Sequence, residues 1–586
     1  MRTVLIFIFF VAISKGAAIS SGASGNWSDT GTWTGGVVPG DGDTVTIGHA
    51  VTVDTNTIVG HSPGAGDATA AILTNGSGAL TIAAGVQLTV KGDIKLNNDI
   101  MTMGAGSILE FNASGAGTPS TARYVLQIGT ANLQSARLDI NGAAGNRAII
   151  RSNSGGANAR INGGGFTMGG NIIGSYVNFV RIGDASNDAI VFYIGGAAAA
   201  TFSLQYADFD ACARVTSNGN LHANSTLLIS HNTFRNSVGT SNLNIQVGGA
   251  IGTGSRIVEY SVFDKPVSFV TPQDIYIRHN LFKADLGTIS DAVWASFEYN
   301  VIYGTLNRNM HGSSSNSIGI SNSGSNPHFL LPSIVRDITF DGWIFKYDGT
   351  TAAGECVNGV SPASVRNYTV TNSVKLPNNA GTDSCALVAE LGNANQRWTI
   401  DKNTYFIGAT LDAGPRYGEG ETGGAHAGTF VSLQSNAVWD TTQRGYKVTA
   451  VSMPGTTDAL VTGNYNGGDP AEYNAGAAGK GYNVTMTGTP GANDLEESPK
   501  FVDSTRDLAT YSTYLGGLGT IADLFAQMSK SNDDSGYDSR YAIAEVYNWI
   551  RQGFAPRNLK YATSGHDGGR IGAVDPRIMF GVVVNP

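Results

Sequence analysis

Short alternating runs of apolar and polar residues, separated by glycine, asparagine and aspartate, fill most of this chain. Val51 and Val53, then Leu80 and Ile82, then Val86, Leu88 and Val90, then Ile94 and Leu96 each recur every second residue. A period of two marks strands with one buried face, and the small polar residues between them mark tight turns. In the middle of the chain five six-residue segments align without gaps: Leu204–Phe209, Ile229–Phe234, Val258–Phe263, Ile277–Phe282 and Phe297–Ile302. Their last positions fall 25, 29, 19 and 20 residues apart, the length of one solenoid coil of short strands and turns. Further copies are expected at Phe340–Phe345 and Ile400–Tyr405, with an earlier anchor at Phe179.

Stacked coils turn these alignments into columns. The first column (Leu204, Ile229, Val258, Ile277, Phe297) is apolar and points inward; the next (Gln205, Ser230, Glu259, Arg278, Glu298) is polar and points outward, as strand alternation demands. The last column carries Phe209, Phe234, Phe263 and Phe282, an internal aromatic stack. Two residues before it stand Asn232, Asn280, Asn300 and Asn403. Asparagine tolerates the left-handed turn conformation, and its amides, one coil above another, hydrogen-bond along a ladder. His231 and His279 share a column with Tyr206, Tyr260 and Tyr299; alternation turns that column inward or into the turn, where packed rings outweigh catalysts. Tyr276 and Tyr303 are read as exposed aromatics able to stack on sugars or to fill gaps between loops.

The predicted fold class is all-β: a right-handed parallel β-helix with an N-terminal β cap and a small C-terminal helical cap. Residues 1–18 read as an export signal, with Arg2 before an unbroken apolar run from Val4 to Ile13 and the small residues Gly16, Ala17 and Ala18 at the cleavage region. Residues 19–110 form the cap and first coils, 111–410 the β-helix, 411–495 Gly-rich loops and irregular coils, and 496–586 a closing segment. Two helices are expected in that segment, at about 521–529 and 539–552. The second places Ile543, Val546, Tyr547 and Ile550 on one face.

Composition narrows the classes. The 586 residues include 78 glycines and only 14% charged residues, with a net charge of −9. Glycine without a collagen period fits many tight turns, and the acidic balance argues against a nucleic-acid partner. The apolar run at the start is too short to span a bilayer, so no transmembrane anchor is expected, and the protein is expected to be secreted, extracellular or at the cell surface. Export implies oxidising conditions. Cys356 and Cys385, 29 residues apart or about one coil, are the pair expected to form a disulfide, with Cys212 a buried thiol; three buried thiols are the alternative.

Two stretches carry family resemblances. Asn26-Trp27, Trp33, Pro39 and Gly40-Asp41-Gly42-Asp43 before the strand ending at Ile47 resemble the opening of G8-type bacterial β-helix proteins, over about 70 residues. The repeat region resembles the parallel β-helix repeat superfamily, which includes pectate lyases, alginate and chondroitin lyases, polygalacturonases and phage tailspikes. Ile275-Tyr-Ile-Arg-His-Asn-Leu-Phe282 is similar to a pectate-lyase stretch, but Arg278 stands where that motif has aspartate. A calcium cofactor implied by that resemblance is therefore not supported by a motif, and no other metal or cofactor site is indicated.

No high-specificity catalytic motif is present: no Gly-x-Ser-x-Gly, no His-Glu-x-x-His, no phosphate-binding loop. The catalytic candidates are Glu259, Arg278 and Glu298 in the outward row, with Asp341 and Asp401 further along it. Glu259 and Glu298, two rungs apart, suit an inverting hydrolase pair; Arg278, with His279, His231 or Lys283, suits the base and cation of a lyase. An alternating Glu-Arg-Glu ladder is equally what a solvated sheet face selects. The expected function is an exported β-helix protein that acts on or binds a polysaccharide or cell-surface glycan, as a polysaccharide lyase or glycoside hydrolase. The alternatives are a non-catalytic surface or adhesion protein and a tailspike-like protein.

Overall fold

The computed structural model describes residues 16–577 apart from 62–69, 113–123, 130–135, 154–158, 166–167, 185–187, 193–198, 218–221, 247–253, 271–272, 289–291, 305, 308–309, 322–335, 348–354, 358–364, 377–385, 390–396, 408–415, 418–428, 441–458, 465–494, 496–498, 516 and 531–535. The chain divides into two compact units, Met1–Thr201 with Asp210–Ala213, and Phe202–Phe209 with Arg214–Pro586. Both are built from stacked parallel strands, and the chain is a parallel β-helix.

In the first unit each coil contributes one strand to each of three stacks. One holds Ala18–Ser20, Thr44–Ile47, Ala70–Thr74, Asp93–Leu96, Val125–Ile128, Arg160–Gly165 and Ile190–Phe192. The second holds Gly25–Asn26, Ala50–Val53, Ala79–Ile82, Ile100–Met103, Arg137–Asn141 and the start of Asn171–Val180. Thr57–Val59, Gln87–Val90, Ile108–Phe111, Ala148–Ser152 and the end of Asn171–Val180 make the third. Register brings Val51, Leu80, Met101, Leu138 and Ile172 into one interior file, all buried. The alternation read from sequence is thus the inside–outside pattern of a coil.

The Trp-rich start is folded over these first strands. Trp27 and Trp33 are buried and meet edge to face with centroids 4.8 Å apart. Each indole N–H finds a carbonyl, Trp27 to Pro39 O at 3.1 Å and Trp33 to Trp27 O at 2.8 Å, as buried indoles require. Asp43 ties the turn by accepting from the backbone of Ala17 and Gly40. Cys212 is a buried thiol, accepting from the Ile182 amide and donating to Phe179 O. The expected Cys356–Cys385 disulfide falls on Cys385, outside the described residues, as do 1–15 of the export signal and most of 411–495.

In the second unit the repeats form two neighbouring stacks. One includes Thr226–Ser230 and runs through Arg256–Glu259, Gln273–Arg278 and Ala292–Glu298 to Ala459–Asn464. The other runs from Thr233–Arg235 through Val262–Phe263, Leu281–Phe282 and Val301–Tyr303 to Ala437–Asp440. Phe209, Phe234, Phe263 and Phe282 form one buried column of stacked rings, with successive centroids 4.3, 5.2 and 5.2 Å apart.

The turn joining the two stacks is the most regular feature of the unit. One residue per coil has a left-handed backbone: Tyr206, His231, Tyr260, His279, Tyr299, Asn316, Gly342, Asn372, Lys402 and Ser435, with φ between 48° and 69°. Left-handed backbone therefore falls on the residue before each ladder position, not on the asparagines, which correct the sequence reading by pointing into the coil. Each ladder side chain accepts from the backbone amide of the coil before it: Asn232 from Ala207, Ser261 from Asn232, Asn280 from Ser261, Asn300 from Asn280, and Ser317 from Asn300, at 2.8–3.1 Å. Ser373, Asn403 and Asn436 continue the series. A buried amide N–H that a turn withdraws from the strand ladder is thereby satisfied.

Among the described residues near the C-terminus are three α-helices: α1 (Leu508–Tyr514), α2 (Ile521–Met528) and α3 (Ile543–Gly553). Their apolar side chains, with Leu524, Phe525, Ile543, Val546, Tyr547 and Ile550 at the centre, pack on Val262, Leu281, Val301, Ile318, Ile344 and Val374. The helical segment expected as a cap on the last coil thus covers the flank of the coils from Val262 to Leu376. That flank needs a cover because the short strands there carry apolar side chains on both faces. An ion pair from the buried Lys346 Nζ to the half-buried Asp507 Oδ2, at 2.6 Å, pins the start of α1, where Asp507 also caps the helix by accepting from Thr510 N. Gly342 makes room for α3. A Cβ there would stand 2.6 Å from Asn316 Oδ1 and 2.9 Å from Tyr547 Oη, and Tyr547 donates to the Gly342 carbonyl.

Candidate functional site

Between the left-handed turn column and the C-terminal segment runs a groove of about 370 Å³. One wall is Tyr206, His231, Tyr260 and His279; the other includes Met528, Lys530, Tyr537 and Tyr541. The four rings of the first wall stack face to face, and a fifth, Tyr299, continues the column beyond the groove, where it packs edge to face on Tyr547 of α3; successive centroid spacings are 4.6, 4.7, 4.6 and 5.1 Å. That spacing is the strand-to-strand distance of the coils beneath.

The energetics of this column set it apart from an ordinary turn. A left-handed conformation costs a non-glycine residue roughly 1–2 kcal/mol, least for asparagine. An aromatic pair returns about 0.5–1.5 kcal/mol, so stacking offsets the strain without improving on the cheaper residues. The coils further along use Asn316, Gly342 and Asn372 in the same position. Aromatic rings occupy it where the groove lies. Because the ring faces are taken up by neighbours, the column offers edges: phenol oxygens and imidazole nitrogens, one group per rung. Tyr260 is the most open, 46% exposed.

Beside the rings runs the outward row. Backbone register carries it through Ser230, Glu259, Arg278, Glu298, Ser315, Asp341, Thr371 and Asp401. Glu259 and Glu298 flank Arg278, which donates Nε–H to Glu259 Oε2 at 2.8 Å. That bond holds the guanidinium above its ordinary range, against some loss from burial. Ser230 Oγ donates to the other Glu259 oxygen at 3.2 Å and lies 2.9 Å from His231 Nδ1. Burial among rings pushes the His279 imidazole below its usual range, although Glu298 opposes the shift. Burial, then the Glu259 charge, pushes the Tyr260 phenol up. The pair Glu259 and Glu298 is therefore separated by a cation already committed to one of them, an arrangement suited to holding polar ligands.

Sequence reasoning placed Glu259, Arg278 and Glu298 in one row, and they occupy successive rungs. Asp341 and Asp401 lie further along, each preceded by a rung with a hydroxyl, Ser315 and Thr371. Of the ring column read as turned inward or into the turn, all five members stand in the turn; Tyr206, His231, Tyr260 and His279 line the groove, while Tyr299 packs on Tyr547. Their signal was the Tyr-His-Tyr-His-Tyr alternation one residue before the ladder, but the opposite wall comes from residues more than 200 positions away. Tyr276 is exposed, whereas Tyr303 packs edge to face on Phe525 of α2, centroids 5.3 Å apart, and so fills the gap beneath the helix. Among the described residues no group of three or more histidine, cysteine, aspartate or glutamate side chains is arranged to hold a metal ion, and no helix is long and apolar enough to cross a membrane. No protein-family model, no curated protein and no solved structure matches this chain.

Proposed function

We propose that this is an exported glycan-binding protein that holds a linear polysaccharide along the groove beside the Tyr206, His231, Tyr260 and His279 rings. One observation carries the reading. Ring edges that donate and accept hydrogen bonds recur at every rung next to a row of charged and hydroxyl side chains. A linear polymer of hydroxyl-rich units meets such a row one unit at a time, and its many weak contacts add. The expected export signal and the resemblance to carbohydrate-active β-helix proteins support the same reading by analogy.

A second reading keeps the site and adds chemistry. His279, favoured in its neutral form by burial, stands beside the Arg278 guanidinium on one rung. A base next to a charge-stabilising cation is the pair a uronate β-elimination uses. The test is incubation of the purified protein with a panel of neutral and acidic polysaccharides. Saturable binding is read by calorimetry, and cleavage by new reducing ends and by ultraviolet absorbance of unsaturated uronate. Binding without cleavage supports the binder; absorbance growth that is lost in His279→Gln supports elimination. Neither binding nor cleavage across the panel removes both.

A further inference from the structure

The residues from Ala17 onward are tied into the first coil one by one. The Ala17 N–H donates to Asp43 Oδ1 at 2.8 Å, and the Ala17 carbonyl accepts from Thr44 N at 2.9 Å. Ala18, Ile19 and Ser20 then pair in parallel with Thr44, Val45 and Thr46, and Ile19 is buried. Just before them the chain presses on a turn. A Cβ on Gly16 would stand 1.8 Å from the Gly42 carbonyl oxygen, so only glycine fits there. From this we infer, resting on the export reading, that the leader is cut between Gly16 and Ala17, and that the new α-ammonium of Ala17 pairs with the Asp43 carboxylate to close the first coil.

The sequence leaves the cut open. Leader cleavage takes small residues at the last position before the cut and two positions earlier. Between Ile13 and Ser21 that pattern is met after Ser14, Gly16, Ala18 and Ser20. The peptidase acts on an unfolded chain, so the fold does not select the bond; it shows which product is whole. A cut after Ala18 removes both Ala17 bonds and the Ala18–Thr44 pairing, and places an α-ammonium on the buried Ile19. A cut after Ser20 removes the strand altogether. A cut after Ser14 keeps Gly16 against the Gly42 carbonyl and leaves Asp43 facing a neutral amide. The cut after Gly16 keeps every bond and turns the Ala17 N–H into a cation facing a carboxylate, whose other oxygen accepts from Gly40 N at 2.9 Å. A charge-assisted bond of this kind is stronger than its neutral counterpart.

Production of the full chain with its own leader, in a bacterial and in a yeast host, tests this. N-terminal sequencing and intact mass of the exported product should give Ala17 as the first residue. In that product the α-amine should react with an acylating reagent near neutral pH about two- to fivefold more slowly than in the urea-unfolded chain, the range of an exposed ion pair. Asp43→Asn keeps an acceptor oxygen but removes the charge, and should abolish that protection. Lys15, Ile19 or Ser21 as the first residue, or a labelling rate that Asp43→Asn leaves unchanged, overturns the inference while leaving export intact. An uncleaved chain retained in the cytoplasm of both hosts overturns the export reading as well.

Discussion

Replacing Asn280 by alanine tests the ladder on which the coil stack depends. The side chain is fully buried and makes three hydrogen bonds. Its Oδ1 accepts from Ser261 N at 3.0 Å, and Nδ2 donates to Val258 O at 2.8 Å and to Asn300 Oδ1 at 3.1 Å. Truncation leaves the Ser261 amide without an acceptor inside the coil, at about 1–3 kcal/mol, and opens a small void. The Asn300 oxygen keeps the Asn280 backbone N–H, so that end loses little. The sum is about 2–4 kcal/mol. Ser261→Ala at the adjacent rung loses two bonds, to Asn232 N and Glu259 O, and a smaller volume, so about 1–2 kcal/mol is expected. Urea denaturation followed by far-ultraviolet circular dichroism gives both values, and amide hydrogen exchange should show Ser261 N–H losing protection in N280A. A cost below about 1 kcal/mol for N280A, or a larger cost for S261A, would refute the claim that the ladder satisfies these amides.

Other outcomes follow from the same geometry. Phe263→Ala should cost about 3–5 kcal/mol in urea denaturation, since it interrupts a buried ring stack; Phe263→Leu should cost clearly less. Lys346→Met leaves the half-buried Asp507 carboxylate without its cation and should destabilise the C-terminal segment by about 1–3 kcal/mol, read by limited proteolysis. Burial alone would push Asp507 up, but the Lys346 charge and the capping bonds hold it below the ordinary value of 3.8. The unfolded chain therefore binds the proton first as pH falls, so the stability this group contributes is complete above the ordinary value. It is lost as pH drops through the folded one. In K346M burial acts on Asp507 unopposed by that charge and protonation relieves the uncompensated carboxylate, so the stability gap between K346M and the unmodified protein should narrow as pH falls. Gly342→Ala should release α3 from the coils, seen as faster cleavage between 531 and 553, because the added Cβ meets Asn316 and Tyr547.

The alternation of apolar and polar residues was enough, by itself, to determine the coils. A strand with one face buried leaves a period-two imprint wherever the core is continuous, and similar segments one coil apart must stack. The Phe column and the Asn232–Asn280–Asn300 spacing were legible for the same reason, as was the succession Glu259–Arg278–Glu298 on adjacent rungs. Tertiary structure alone decided three things. It put the left-handed backbone on Tyr206, His231, Tyr260, His279 and Tyr299 rather than on the asparagines, because the ladder amides must point inward to reach the next coil. It laid the C-terminal helices on the flank of coils more than 130 residues earlier in the chain, a contact that leaves no local pattern. It thereby made a groove from two walls, of which sequence showed only the alternating rings of one. A groove is a relation between surfaces, and local periodicity records only which side of its own strand each residue faces.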